Sequence, residues 1–440
     1  MLALALLSSA LALRAPAQEL PILSGERHTL PNGLVVVLRE DHSTPLVAVD
    51  VRYGVGSRDE KPGKTGFAHL FEHYMFEGSA HAPESPLASI SNMGGEVNAD
   101  TTQDRTNYYE IVPSEKLEEI LRLEADRMGF LNIDRKSLDK QRGIVENEKR
   151  LRENQPYAAG YAESPALVFD AGHPYRQPIL GSMTDLEEAK IEDVRRFHAA
   201  YYTPNNAILV VTGDQDNAKT YELVKKWFGP LKRGPKPLRT KLPDSPPLGA
   251  PRREEIVDEK ASRTMLLMAF RIPGKDKPDW LETSIAAEIL GDGGNRIYRT
   301  VNKEDDLVDE IAVWLGDLQG QDVLFIRAFL RDGVSSRQVE DRIRVALAEF
   351  SLLGPTDAEM RRVKAARRRR ALDAMQTADG LAARLAEGQA LSDDPAAVVT
   401  SLKAMGAMGK DAPREAAYRY LMKAEPATVT VKPKPPVEKP

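Results

Sequence analysis

Apolar residues recur at two periods along this chain, and the two periods sort it into strands and helices. Val35 to Leu38 and Val47 to Tyr53 are β-branched apolar runs separated by the polar segment Arg39 to Pro45, which predicts two strands joined by a turn. Gly54, Gly56 and Gly63 then bring the chain to a helix that runs through residue 73. Further helices are expected over Ser114 to Met128 and from Leu138 to Glu153, and Ala207 to Thr212 reads as a buried strand ended by Gly213-Asp214. Between Gly229 and Pro251 prolines crowd in and predict an extended linker. After it the order restarts: Met265 to Phe270 is strand-like, Pro273-Gly274 a turn, and Trp280 to Leu290 a helix. The second half therefore looks like a degenerate copy of the first.

At 440 residues the chain exceeds what one hydrophobic core usually holds, which fits two domains. Its 42% hydrophobic and 29% charged residues are ordinary for a soluble globular protein, and a net charge of −5 gives no sign of nucleic-acid binding. The one basic block, Arg367 to Arg370, sits in the polar, helix-favouring stretch Asp357 to Met375 and reads as a solvated helix face. With no cysteine, any metal must be held by histidine and carboxylate. Leu2 to Leu13 is apolar but too short to span a bilayer, and Ala15-Pro16-Ala17 resembles a signal cleavage site, although a basic n-region is missing. Export, to a bacterial periplasm, is expected. No other apolar run approaches membrane-spanning length.

Residues 69 to 73 read His-Leu-Phe-Glu-His. On a helix His69 and His73 fall one turn apart on one face, so both imidazoles reach one metal ion, with Glu72 on the same side. Two neutral imidazoles and a nearby carboxylate are what a catalytic zinc site needs to activate water near neutral pH. The string would arise by chance in roughly one chain in a hundred of this composition, so a third ligand has to be found. The helix ending at Glu153 offers Glu146, Glu148 and Glu153. Ile144, Val145 and Leu151 define its inward face. Glu148 points with them, whereas Glu146, about 200° round the helix, should face solvent. Glu148 is the expected ligand. The second copy has Ile285-Ala286-Ala287-Glu288-Ile289 at this place, so metal chemistry belongs to the first copy alone.

His69-x-x-Glu72-His73 inverts the commoner His-Glu-x-x-His order and, with Glu148 in Val145-Glu146-Asn147-Glu148, resembles the pitrilysin and insulinase-type zinc peptidases, the inverzincins. Leu30-Pro31-Asn32-Gly33-Leu34 resembles that family's opening strand. Asn98-Ala99-Asp100-Thr101 resembles its substrate-edge strand, and Pro174-Tyr175, Gly181, Tyr201-Tyr202-x-Pro204 and Gly213-Asp214 the close of its first domain. Length and tandem halves are those of the short, mitochondrial-processing-peptidase-like branch. The resemblance implies two homologous α+β domains, each a mostly antiparallel sheet with helices on one face. It implies a zinc endopeptidase that cleaves peptides or unfolded segments in an enclosed chamber, with substrate added as a strand beside Asn98, Ala99, Asp100 and Thr101. His69, His73 and Glu148 would hold one Zn²⁺ and Glu72 would be the general base.

Two departures from the family pattern stand out. Gln141 occupies a position where relatives commonly carry a Glu, seven residues before the ligand; its amide could still support a ligand histidine. Asn302 and Asp309 occupy places where active relatives carry an Arg and a Tyr that fix substrate, and Arg296 and Tyr298 lie nearby at the wrong spacing. The missing pair implies a heterodimer with a related subunit that supplies it, with a homodimer as the alternative. Rival readings are a non-catalytic structural subunit of the same fold and a zinc hydrolase of small molecules. The expected organisation is a signal peptide over 1–17, a zinc-binding peptidase domain over 18–228 and a linker over 229–252. A homologous domain without zinc follows over 253–431, then a flexible tail over 432–440.

Overall fold

The computed structural model describes residues 24–291 and 296–435. The signal segment expected at 1–17 lies outside the described residues. In the first half, β1 (Glu26–Thr29), β2 (Val35–Glu40), β3 (Leu46–Tyr53), β4 (Glu96–Thr101), β5 (Thr106–Pro113) and β6 (Ala207–Gly213) form one sheet in the order β1-β2-β6-β3-β5-β4. In the second half, β7 (Arg252–Asp258), β8 (Met265–Pro273), β9 (Val308–Leu315), β10 (Gln321–Leu330) and β11 (Ala427–Pro433) form another, in the order β7-β11-β8-β10-β9. Setting β1 aside, the two orders are the same. So is the pairing: β2 with β6 and β7 with β11 are parallel, and all other neighbours are antiparallel. The expected α+β class, with two homologous sheet-and-helix halves, is what the chain adopts.

The helices repeat in step with the strands. After β3 comes α1 (Phe67–Tyr74), and after β5 come α2 (Leu117–Phe130), α3 (Arg135–Glu153) and α4 (Ala158–Val168). After β8 comes α5 (Trp280–Gly291), and after β10 come α6 (Ser336–Leu353), α7 (Asp357–Ala374) and α8 (Ala378–Ser392). α3 and α7 both open on a capping box, Asp134 with Ser137 and Thr356 with Glu359.

Side-chain alternation assigns the faces. Val47, Val49, Val51 and Tyr53 of β3 join Phe67, Leu70, Ile120 and Leu121 in the first core. Leu266, Met268 and Phe270 of β8 do the same with Ile285, Ile289 and Ile343 in the second. The opposite faces are covered across the halves. α8 lays Leu381, Ala382, Leu385 and Ala386 on Val37, Ala48 and Val210 of the first sheet. α4 lies on the second sheet, with Leu167 packed against the cluster of Met265, Leu267, Val429 and Val431. This approach is close: a Cβ on Gly160 would lie 2.5 Å from Val431 Cγ1's neighbouring methyl, Cγ2.

Two expectations are corrected. Leu30 to Leu34 is not a strand but the β1–β2 turn, closed by Leu30 N–H to the Leu34 carbonyl, with Gly33 at φ 92°. The proline-rich segment is anchored to the first half: Arg239 donates to Asp59 at 2.7 Å, and the Thr240 N–H donates to the same carboxylate at 2.9 Å. Lys432 and Pro433, expected in a flexible tail, complete β11 because they pair with Val257 and Asp258.

Leu385 is fully buried between the halves. Leu385→Ala should lower stability by about 2–5 kcal/mol, the range for deleting such a side chain from a core. Urea unfolding followed by tryptophan fluorescence checks this. An unchanged midpoint would show that the α8 contact contributes nothing to the fold.

Candidate metal centre

α1 is short, and its placement depends on contacts from outside it. Its N-cap, Gly66, has φ 87° and offers no side chain to the first-turn N–H groups. The buried Glu60 carboxylate takes their place, accepting from Gly66 N–H and Ala68 N–H at 2.8 Å each. Burial pushes the Glu60 pKa up, and the helix N–H groups oppose that shift. Gly66 sits so close to the next loop that a Cβ would lie 2.8 Å from the Leu180 carbonyl oxygen. From the core side, the Tyr108 hydroxyl donates to the Phe71 carbonyl at 3.0 Å.

With α1 so held, both histidines face α3. His69 Nε2 lies 3.6 Å and His73 Nε2 3.2 Å from Glu148 Oε2, and the donor atoms of all three residues lie within 4.8 Å of one another. Ligands about 2.0–2.1 Å from a tetrahedral zinc stand about 3.3 Å apart, so this donor set fits the ion. Burial, then the neighbouring His73, brings the His69 pKa down to about 4, which leaves its imidazole neutral and available as a ligand at neutral pH. The other Glu148 oxygen is held by Arg152 at 2.6 Å. Arg152 was missed in the sequence, although its i+4 spacing from Glu148 marks the pair.

Glu72, on the same helix, lies beside Thr101; burial pushes its pKa up, and the Thr101 side chain and His73 oppose that shift. Thr101 ends β4, the outer strand of the first sheet, whose free edge leaves backbone groups unpaired. Of the four residues expected at the substrate edge, Ala99 packs toward the first core, on the side of α1. Asn98 and Asp100 pair with Tyr109 and Asn107 and project to the opposite face, where Asp100 is ion-paired with Arg105.

Other expected residues are placed differently. Val145 is buried, but Ile144 is 42% and Leu151 58% exposed, so the face that carries Glu148 is buried over only part of its length. Glu146, expected in solvent, has a side chain only 15% exposed and pairs with Arg150 at 3.3 Å. Gln141 is buried and gives its amide to Glu77, which also binds Lys140 at 2.6 Å; neither ligand histidine is its partner. Two turns above Glu148, it meets the segment that follows α1. Asn302 donates to the Val308 carbonyl, Asp309 pairs with Arg263, and Arg296 is bound to Glu359 at 3.0 Å, all within the second half.

The corresponding place in the second half is informative. Ile285 and Ile289 are buried in its core. Counted from the N-caps of α3 and α7, Arg370 stands where Glu148 stands, and it is ion-paired with Glu288. Arg367 binds the same carboxylate at 2.6 Å. Two of the four arginines expected on a solvated face are therefore docked on α5.

Residues 35–163 match the family model described as insulinase (peptidase family M16), and residues 189–367 match the one described as the peptidase M16 inactive domain. The chain belongs to the M16 peptidase family. The zinc protease PqqE of Helicobacter pylori is 32% identical over 274 residues, 61% of each chain, so this chain spans less than two thirds of that relative's length. A crystal structure of a protease from Helicobacter pylori superposes with a TM-score of 0.86 at 25% identity, covering 93% of this chain and 99% of that one. The periplasmic protease PqqL of Escherichia coli shares the fold at a TM-score of 0.76 and 19% identity. There the match covers 93% of this chain but 48% of the other.

Glu148→Gln should lose most bound zinc on metal analysis, because the amide replaces a charged donor, whereas Glu146→Gln should bind normally. The reverse ranking would show that the wrong acid has been assigned.

Proposed function

We propose that this M16 chain is a zinc metalloendopeptidase that hydrolyses peptides or unfolded polypeptide segments. The observation that carries the reading is the convergence of His69, His73 and Glu148, with Glu72 between that cluster and the open edge of β4. The first three residues would hold zinc, which when bound supplies Lewis acidity to the peptide carbonyl and to water. Glu72 takes the proton of the attacking water and returns it to the leaving amine. Backbone groups of Asn98 to Thr101 hold the peptide as an added strand, which asks little of its sequence.

The working assembly is a pair of related chains that encloses the site. Three observations support this: the exposed Ile144 and Leu151 on either side of Glu148, the fold-level match to half of PqqL, and Asn302 and Asp309 in place of the Arg and Tyr. A related subunit carrying that pair is the preferred partner, and a second copy of this chain is the alternative. Export to the periplasm is supported by the apolar Leu2 to Leu13 segment; among the described residues no helix is long and apolar enough to cross a membrane. A non-catalytic structural subunit is the second reading, favoured by the match to an inactive-domain model. That match spans residues 189–367, outside the His69, Glu72, His73 and Glu148 cluster.

Glu72→Gln keeps size and hydrogen bonding but removes the proton acceptor. It should retain zinc and lose about 10²–10⁴-fold in turnover of an unstructured peptide. A zinc-replete variant with wild-type turnover would rule out the base and favour the structural reading. Purified alone, the wild-type chain should bind zinc yet cleave poorly, and a related subunit bearing the Arg/Tyr pair should restore cleavage. Full activity from this chain alone would show that the pair is not needed.

A further inference from the structure

The last turns of α3 carry three ion pairs at i,i+4 spacing: Glu146 with Arg150 at 3.3 Å, Glu148 with Arg152 at 2.6 Å and Lys149 with Glu153 at 2.7 Å. Pairs of this kind are common on exposed helices and contribute little to stability. One of the three differs from the others. The Glu148 carboxylate is divided between two neighbours: Oε2 lies 3.2 Å from His73 Nε2 and 3.6 Å from His69 Nε2, while Oε1 is bound by Arg152. The adjacent acids do not compete for Arg152, since Glu146 and Glu153 are taken by Arg150 and Lys149. The turn that carries Arg152 is also pinned from the second half. Asn154 closes it, giving its N–H to the Arg150 carbonyl at 3.0 Å. Lys260, between β7 and β8, binds the Asn154 carbonyl at 3.0 Å and its side-chain oxygen at 2.9 Å. Just beyond, the Tyr157 N–H donates to Asp258 at 2.7 Å.

A glutamate side chain turns about several bonds, so ordering it when an ion arrives costs conformational entropy. We propose that Arg152 is a positioning residue for the metal centre, holding the Glu148 carboxylate with one oxygen toward His69 and His73 before the ion binds. The inference rests on the proposed zinc centre. Hydrogen-bonded partners of ligand carboxylates act in this way, and losing one weakens metal binding. A guanidinium suits the task. It stays protonated at any working pH, and with no lone pair it cannot become a ligand itself. With its other oxygen engaged by Arg152, Glu148 is set to fill a single coordination position, which suits a site that keeps one position for water. The Arg152 side chain is 63% exposed, so water and salt screen its repulsion of a cation, while its contact with Glu148 is direct.

The test uses the full chain, stripped of metal and then titrated with zinc against a chromophoric chelator, so that cleavage plays no part. Arg152→Met should weaken zinc binding about tenfold, the lower end of the range for partners that orient a metal ligand. Arg152→Lys keeps the charge and a donor, and it should recover most of that loss. Arg150→Met removes a pair of the same spacing that touches no ligand, and it should bind zinc as the wild type does. All three variants should melt at the wild-type Tm when metal-free, because the pairs they remove are exposed. Wild-type zinc affinity in Arg152→Met, an equal loss in Arg150→Met, or a loss that Arg152→Lys does not relieve overturns the proposal. So does a loss that comes with a lower metal-free Tm, which would assign Arg152 to the fold. Failure of the peptidase reading appears separately: the zinc affinities would keep this ranking, yet the zinc-loaded wild type would hydrolyse no peptide.

Discussion

Everything in this molecule depends on each half covering the other's sheet. A mixed sheet with one face open to water would place polar residues there. The first sheet instead presents Val37, Ala48 and Val210, and the second Met265, Leu267, Val429 and Val431, on faces that their own helices do not cover. α8 and α4 cross over to bury them, so neither sheet is complete without the other half. The crossing is reinforced by a buried polar junction. Asp104 takes Arg58, the Tyr175 hydroxyl at 2.7 Å and the Gln319 N–H at 2.9 Å, and the Gly320 N–H reaches Tyr175 in turn. Such a network favours one arrangement of its members, and Asp104 lies in the turn between β4 and β5.

The same scaffold neutralises a helix–helix contact in two ways. Between α1 and α3, the donor atoms of two imidazoles and a carboxylate lie within 4.8 Å of one another, an arrangement that could hold a cation. Between α5 and α7, Glu288 is met by Arg367 and Arg370, and the histidine positions are buried isoleucines. A guanidinium has donors and no lone pair to give. The second contact is therefore closed by its own ion pairs, and it needs no metal to balance its charge.

Much of this was legible in the sequence, because it rests on local periodicity. β2, β3, β6, β8, α3 and α5 lie within a few residues of where the apolar pattern places them, and β11 shows how a strand is missed when its partner is distant. The i,i+4 histidines and Glu148 were also readable. The apolar face that points to Glu148 is only partly a core face, since Val145 is buried while Ile144 and Leu151 are exposed. Non-local chemistry was hidden. Nothing near Glu60 says that it caps α1, and nothing near Gln141 says that its partner is Glu77. Continuous apolar strands such as Met265 to Phe270 did carry a signal of two-sided burial, but not of which helix would supply the second side.

The β4–β5 hairpin ties these levels together. Side chains on a strand alternate, so a slip of one residue would exchange the faces of Thr101 and Asp100. The slip is prevented locally: Thr102 N–H bonds the Arg105 carbonyl at 2.9 Å, its hydroxyl takes the Asp104 N–H at 3.1 Å, and Asp100 binds Arg105 across the strands. Asp104 in that same turn belongs to the junction between the halves. The contact that joins the halves therefore also sets the register of the edge strand. That register decides that Thr101, and not Asp100, meets Glu72 beside the histidines.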